Sequence, residues 1–412
     1  MKNIMNKRTI SFLIIIALCS FSCERIVSYV NGPPVDTGFM RTFGTDFYDY
    51  GWSVDETFDG GFIVTGSKEY RSDRTRDALM IKTDEDGFGV WEKSFGGSGN
   101  EELYAVKQTM DGGFISVGYT SSYGNVAQVY VVKTDFYGAL LWDKILGGPN
   151  LDIAYEVIET SKGNYMIIGT SNSPGISHGN NDMYIIKLDS DGNFLWQKSY
   201  GVINHEVGYD IIELNDKGFL MVGYKDYYTV AGKDIYLIKI DSVGSKQWEK
   251  TFGSSGAYDE IGYSIHEAYP AGYLICSSTN SRGNGWYDPQ IIKIDYDGNM
   301  VWSGIYSGSS RENTRWTSSP TFDGGAVIIG TTTYFQNEPG SDEDIFIIKI
   351  DQNGQQLWDK AFEGGESDWG WAVKETCIND LIIIGSTKSY GRGLYDIMLM
   401  KTDEFGHFDL DN

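Results

Sequence analysis

At six matching places along this 412-residue chain an acidic residue stands three positions before an aromatic one: Asp49/Trp52, Glu101/Tyr104, Asp152/Tyr155, Glu206/Tyr209, Glu260/Tyr263 and Asp368/Trp371. A further place, before the last of these, holds Asn313/Trp316. Carboxylates attract cations and accept hydrogen bonds from sugar hydroxyls; aromatic faces stack on sugar rings or draw cations to their π clouds. A ring of such pairs at the mouth of a channel would suit a polar ligand, such as a sugar or a cation. The structural alternative is that every repeat needs a cap for its turn and a ring to pack on its neighbour. A position filled in every repeat favours that alternative. A second acidic series, Asp77, Asp182, Asp234, Asp288, Asp344 and Asp396, has Gln128 in its second place. Asp side chains bond nearby backbone N–H groups in turns, which is the simpler reading of this series.

Differences between repeats say more about function. Aromatic residues crowd the loops between second and third strands: Tyr70, Tyr123, Tyr227, Tyr228, Trp286, Tyr287, Tyr334, Phe335 and Tyr390. Exposed on one face, they would stack on sugars or anchor a protein partner; packed within their own loops, they would do neither. The sixth repeat departs most, with Arg311, Asn313, Arg315 and Trp316 in place of the usual pattern and Ser307-Gly308 in place of a glycine pair. The candidate ligand contacts are therefore Trp286, Tyr287, Arg311, Asn313, Arg315, Trp316, Tyr334 and Phe335. No catalytic residue stands out. His178, His205, His266 and His407 fall in different repeats without metal-ligand spacing. No cofactor is expected, and calcium is only the weaker reading of the abundant acid. Carboxylates are numerous enough for a glycosidase pair, so a carbohydrate-active enzyme with an acidic pair at the channel mouth is the alternative to a non-enzymatic binder of glycan or protein. A structural component of an envelope complex is the third reading.

The elements that must position these residues follow from a repeat. Tryptophan recurs at positions 91, 142, 196, 248, 302 and 358, each nine residues after a lysine that ends an apolar run (Lys82, Lys133, Lys187, Lys239, Lys293 and Lys349). Lys401 makes a seventh, and successive lysines lie 51 to 56 residues apart. These lysines are read as snorkelling at a strand end beside the Asp two residues later. In the first unit Ser53–Phe58, Phe62–Gly66, Ala78–Thr83 and Val90–Phe95 read as strands. The turn Asp59-Gly60-Gly61 joins the first two, and Asp111-Gly112-Gly113, Asp323-Gly324-Gly325 and Lys162-Gly163-Asn164 repeat it. Four antiparallel strands per fifty-odd residues is the pattern of a β-propeller blade. The fold expected is all-β, a seven-bladed propeller. Phe39–Gly44 matches Trp91–Gly96 with no preceding strands of its own, so this N-terminal strand is expected to complete the seventh blade and leave no open edge.

The spacing Asp-x-x-Gly-x-x-x-Trp, as in Asp84…Gly87…Trp91 and Asp189…Gly192…Trp196, resembles the tryptophan-docking motif of quinoprotein alcohol dehydrogenase-like propellers. It covers six of the seven repeats. The resemblance implies a tryptophan on each outermost strand, docked against a neighbouring blade. It implies no dehydrogenase chemistry: the quinone enzymes have eight blades and adjacent cysteines at the cofactor, and this chain has neither.

Residues 1–22 read as a secretory signal, with Lys2, Lys7 and Arg8 ahead of an apolar core too short to span a bilayer. Ser20-Phe21-Ser22-Cys23 resembles a bacterial lipoprotein processing site with Cys23 acylated, and residues 23–37 would form the anchor and tether. The propeller would occupy 38–412, with repeats near 45–95, 96–147, 148–201, 202–253, 254–307, 308–363 and 364–412. The expected place is outside the inner membrane, lipid-anchored in the cell envelope, periplasmic or surface-exposed, as a monomer. Cys276 and Cys377 are expected as unbridged, small apolar residues. The formal charge is −24, and loss of the three signal cations makes it −27. Such a surface repels nucleic-acid phosphates and anionic lipid headgroups, which leaves the lipid anchor as the membrane contact.

Overall fold

The computed structural model describes residues 38–70, 75–124, 126–227, 232–254, 256–281, 287–306, 316–333 and 342–408. Among these residues 28 strands form seven four-stranded antiparallel sheets, and no helix occurs. Blade 1 consists of Asp49–Glu56, Phe62–Glu69, Arg76–Thr83 and Gly89–Phe95, paired in that order. Its inner strand begins four residues earlier than the sequence pattern suggests. Trp52 is an extra residue there, which interrupts the alternation by which a strand is recognised.

The first strands of neighbouring blades touch one another around the circle and wall a central channel. Each runs from a face formed by the inter-blade connections and the second-to-third-strand loops, here the mouth face, to the opposite turn face. Third strands such as Arg76–Thr83 and Asp396–Thr402 are buried along nearly their whole length, because neighbouring blades cover both sides. The core is accordingly seven clusters, one at each blade interface.

The ring closes as expected. Phe39–Phe43 is the outermost strand of the seventh blade, antiparallel to Asp396–Thr402, with Phe39 opposite Lys401 and Phe43 opposite Ile397. The docking role of the tryptophans is equally direct. In each third-to-fourth-strand turn the Asp side chain accepts two backbone N–H groups, as Asp189 does from Asp191 and Asn193. The turn glycine sits at positive φ, which L side chains adopt only at a cost. A Cβ on Gly192 would lie 2.9 Å from the Trp142 indole of the preceding blade. Trp91, Trp196, Trp248, Trp302 and Trp358 cover Gly138, Gly244, Gly298, Gly354 and Gly406 in the same way, and Phe39 takes the place over Gly87.

The lysine series corrects an expectation. Lys82 and Lys133 are buried rather than snorkelling, and their amines pair with the hairpin-turn acids Asp59 and Asp111 at 3.1 and 2.9 Å. Lys239, Lys349 and Lys401 pair likewise with Asp216, Asp323 and Asp380. The acid two residues after each lysine is occupied by its own turn. Cys276 is buried, Cys377 partly so, and neither is in a disulfide.

Candidate ligand-binding site

Six inner strands carry a β-bulge, and the bulged residue is always the aromatic of the acidic/aromatic pair. The register with the second strand passes from Gly51–Gly66 to Ser53–Thr65, from Ala154–Gly169 to Glu156–Ile168 and from Gly370–Gly385 to Ala372–Ile384, skipping Trp52, Tyr155 and Trp371. Tyr104, Tyr209 and Tyr263 are skipped in the same way. Two consecutive residues then oppose one, and bulges of this kind re-aim side chains. The result is a collar: Trp371, Trp52, Tyr104, Tyr155, Tyr209 and Tyr263 follow one another around the channel at centroid spacings of 4.6, 5.4, 5.7, 5.0 and 5.0 Å.

Blade 6 breaks the collar. Its inner strand, Thr317–Pro320, has only four residues and an uninterrupted register. Without a bulge, Trp316 turns into the blade 5–6 core instead of the channel. It is fully buried, lies over Gly330 and donates from Nε1 to the Tyr287 carbonyl at 3.1 Å. Trp316 is thus a core residue and not the exposed contact expected. Tyr287 is half-buried, its hydroxyl donating to Asp259 at 2.6 Å. Trp286, Arg311, Asn313, Arg315, Tyr334, Phe335 and Cys23 lie outside the described residues. Of the other loop aromatics, Tyr123 is well exposed, Tyr70 is partly exposed, and Tyr390 donates to the Glu363 carbonyl.

Toward the mouth the collar widens at the closing junction between blades 7 and 1. Tyr50 stacks on Trp369 (6.4 Å, 8°), and Trp369 stacks on Tyr395 (4.5 Å, 23°). Tyr48 stacks on both Tyr50 and Tyr395, while Trp52 and Trp371 join this platform to the collar. The guanidinium of Arg76 lies 5.5 Å from the Tyr50 ring centroid and pairs with buried Glu102 at 2.7 Å. Trp369 Nε1 donates to Glu343.

Below the collar, toward the turn face, the channel is charged. Lys107 faces Glu156 at 3.4 Å, and Lys374 pairs with Asp55. Asp210 accepts from the backbone N–H groups of Ile211 and, across the blade junction, Ile265 at 2.7 and 2.8 Å. Burial, and then the neighbouring Glu156, push the Asp210 carboxyl up to about 7. Burial holds His266 neutral at pH 7, its pKa lowered to about 4. Collar and floor enclose a cavity of about 250 Å³.

The two acidic series meet in pairs at the mouth-face junctions. A Cβ on Gly44 would strike both Asp396 and Asp49, one on Gly96 both Glu101 and Asp77, and one on Gly201 both Asp182 and Glu206. Many of these carboxylates cap turns: Glu101 accepts from Gly97 N–H, Asp152 from Gly148 N–H and Asp368 from Lys388 N–H. Burial and the like-charged partner raise the carboxyls of Glu206 and Asp234, and burial, with Asp368 nearby, raises Asp344 to about 6.

Sequence reasoning had the collar aromatics as a series but missed Glu156, Asp210, Asp55, Lys107 and Lys374, and Tyr50 with Trp369. A signal existed. After the collar aromatic, blades 1, 2, 5, 6 and 7 have Ser53, Ala105, Ser264, Thr317 and Ala372, whereas blades 3 and 4 have Glu156 and Asp210. A charge where the other repeats keep a small residue marks a departure from what the fold alone requires.

Together these features define a closed seven-bladed β-propeller with an aromatic mouth and a charged channel floor. A solved structure shares the β-propeller fold. The β-propeller domain of the Trilobed protease from Pyrococcus furiosus, described as having an open velcro topology, matches with a TM-score of 0.50 and 10% identity over 90% of this chain and 98% of that one. Sqt1 from Chaetomium thermophilum, bound to the N-terminus of ribosomal protein L10, matches with a TM-score of 0.46 and 9% identity over 87% and 98%. A Bacteroides caccae protein of unknown function matches with 0.45 and 11% over 74% and 94%. At these identities the likeness is one of fold. No protein-family model and no curated protein matches the chain.

Proposed function

We propose that this protein is a non-enzymatic binding propeller that takes glycans at its mouth face and is held by a lipid on Cys23 outside the inner membrane. The observation that carries the reading is the aromatic surface running from the collar onto the Tyr48, Tyr50, Trp369 and Tyr395 platform. Aromatic rings with adjoining Arg76 and Glu343 provide what a sugar requires: apolar surface for its C–H groups and charged groups for its hydroxyls.

The test is a glycan and polysaccharide array probed with the mature chain, with and without calcium. A saturable hit that Trp369→Ala and Tyr50→Ala weaken about tenfold or more, at unchanged melting temperature, supports the reading. An array blank under both conditions sinks it and moves the weight to a protein ligand. The carbohydrate-active enzyme reading now has specific residues, Glu156 and Asp210. Turnover of an array hit that stops in Asp210→Asn would favour it.

A further inference from the structure

We infer that the channel below the aromatic collar binds an organic ammonium group, the protonated amine of an amino sugar or of a lysine side chain. The inference rests on the mouth being a ligand site and adds the chemistry of the ligand's inserted end.

Three observations converge on the lumen. The first is the collar itself. Neighbouring centroids are 4.6–5.7 Å apart in six of seven blades. On a sevenfold circle that spacing puts each ring centroid about 6 Å from the axis, so a group in the lumen is surrounded by aromatic rings. The second is charge. The floor presents Asp55, Glu156 and Asp210 against Lys107 and Lys374, and each lysine already faces a carboxylate. His266 adds no cation, being neutral at pH 7. One carboxylate is therefore left over, and burial, with Glu156 beside it, raises the proton affinity of Asp210. A positive group in the lumen would let it ionise. The third is an unsatisfied atom. His266 is 8% exposed, lines this cavity, and its Nε2 has no hydrogen-bond partner among the described residues. A buried polar nitrogen without a partner is costly, and a neutral imidazole can accept from an ammonium N–H. Ser264 and Ser318, hydrogen-bonded to each other, supply further oxygens on the same wall.

A neutral sugar would gain from the collar but not from the uncompensated carboxylate, so the charge on the amine is what the experiment varies. Binding of glucosamine and of Nα-acetyl-lysine amide is measured by calorimetry at pH 7.5 in low salt. Each is compared with its N-acetylated form, in which the amine is neutral. We expect at least one amine to bind about tenfold or more tightly than its acetylated form. Asp210→Asn should remove most of that preference, and Tyr209→Leu, which keeps bulk but loses the π face, should reduce it. Melting curves confirm folding of both variants. Whichever amine binds more tightly identifies the source. Equal binding of amine and acetylated form, absence of binding by both amines, or a preference unchanged in both variants overturns the inference. Neutral glycans held by the array in that case would leave the mouth reading standing.

Discussion

A glycine beneath a tryptophan sets the spacing between blades, and two substitutions separate its contributions. Gly163 and Gly192 have nearly the same positive φ, but a Cβ meets nothing within 4 Å at Gly163 and the Trp142 indole at Gly192. Gly163→Ala should cost about 1–2 kcal/mol for the left-handed backbone alone. Gly192→Ala should cost more, because the indole must also move; urea midpoints give the difference. A second test comes from the one hairpin turn with a lysine at the place that Asp111 takes in blade 2. Lys162 stands where Asp111 stands in blade 2, and Lys187 has no acid within ion-pair distance among the described residues, while burial, and then Lys162, lower its amine pKa. Lys162→Asp should install the ion pair seen at Lys133 and stabilise the protein by about 1 kcal/mol, an effect that fades in high salt.

At the scale of the strand, the bulge separates what the sequence disclosed from what it hid. Blade number, strand order, the closing strand and the docked tryptophans were all readable, because they repeat and because turn glycines and apolar runs have local causes. The direction of a side chain around a bulge has no such local cause. Trp52 and Trp316 occupy the same place in the repeat, yet one enters the channel and the other the core. Trp316→Ala should cost about 3–5 kcal/mol in a denaturant titration, whereas Tyr123→Ala, on an exposed loop, should stay within about 0.5 kcal/mol. The channel floor stayed hidden for a related reason. Lys107, Glu156 and Asp210 come from three different blades, and only the packing of neighbouring blades brings them together.

For the molecule as a whole, pH is the revealing variable. Asp49, Glu206, Asp234 and Asp344 have raised carboxyl pKa values, burial being the largest cause in each. Such groups bind protons more readily folded than unfolded. Their contribution is complete below the ordinary carboxylate range and is lost as pH climbs through the folded value, about 6 for Asp344. The turn acids behave oppositely. Despite burial, the Thr57 hydroxyl and Lys82 hold Asp59 low, and Asp111 and Asp323 are similar. Their contribution is lost only as pH falls through those depressed values. Stability should therefore peak at about pH 4–5 and decline toward pH 8. Asp344→Asn, whose amide oxygen can still accept from Gly364 N–H, should raise the melting temperature at pH 7.5 and flatten the decline. A melting temperature that rises from pH 5 to pH 8 would contradict this account.

The seal between Phe39–Phe43 and Asp396–Thr402 has a mechanical side. Phe39 lies at the turn face, opposite the mouth, so the chain enters the closing strand from that face. Traction between a ligand held at the mouth and a tether ahead of Gly38 would run along this strand. All five of its register pairs would carry the load together in shear, instead of parting one by one as in a peeled zipper. The ring is thus closed by the strand that a surface tether would pull, and pulled in the direction in which it holds best.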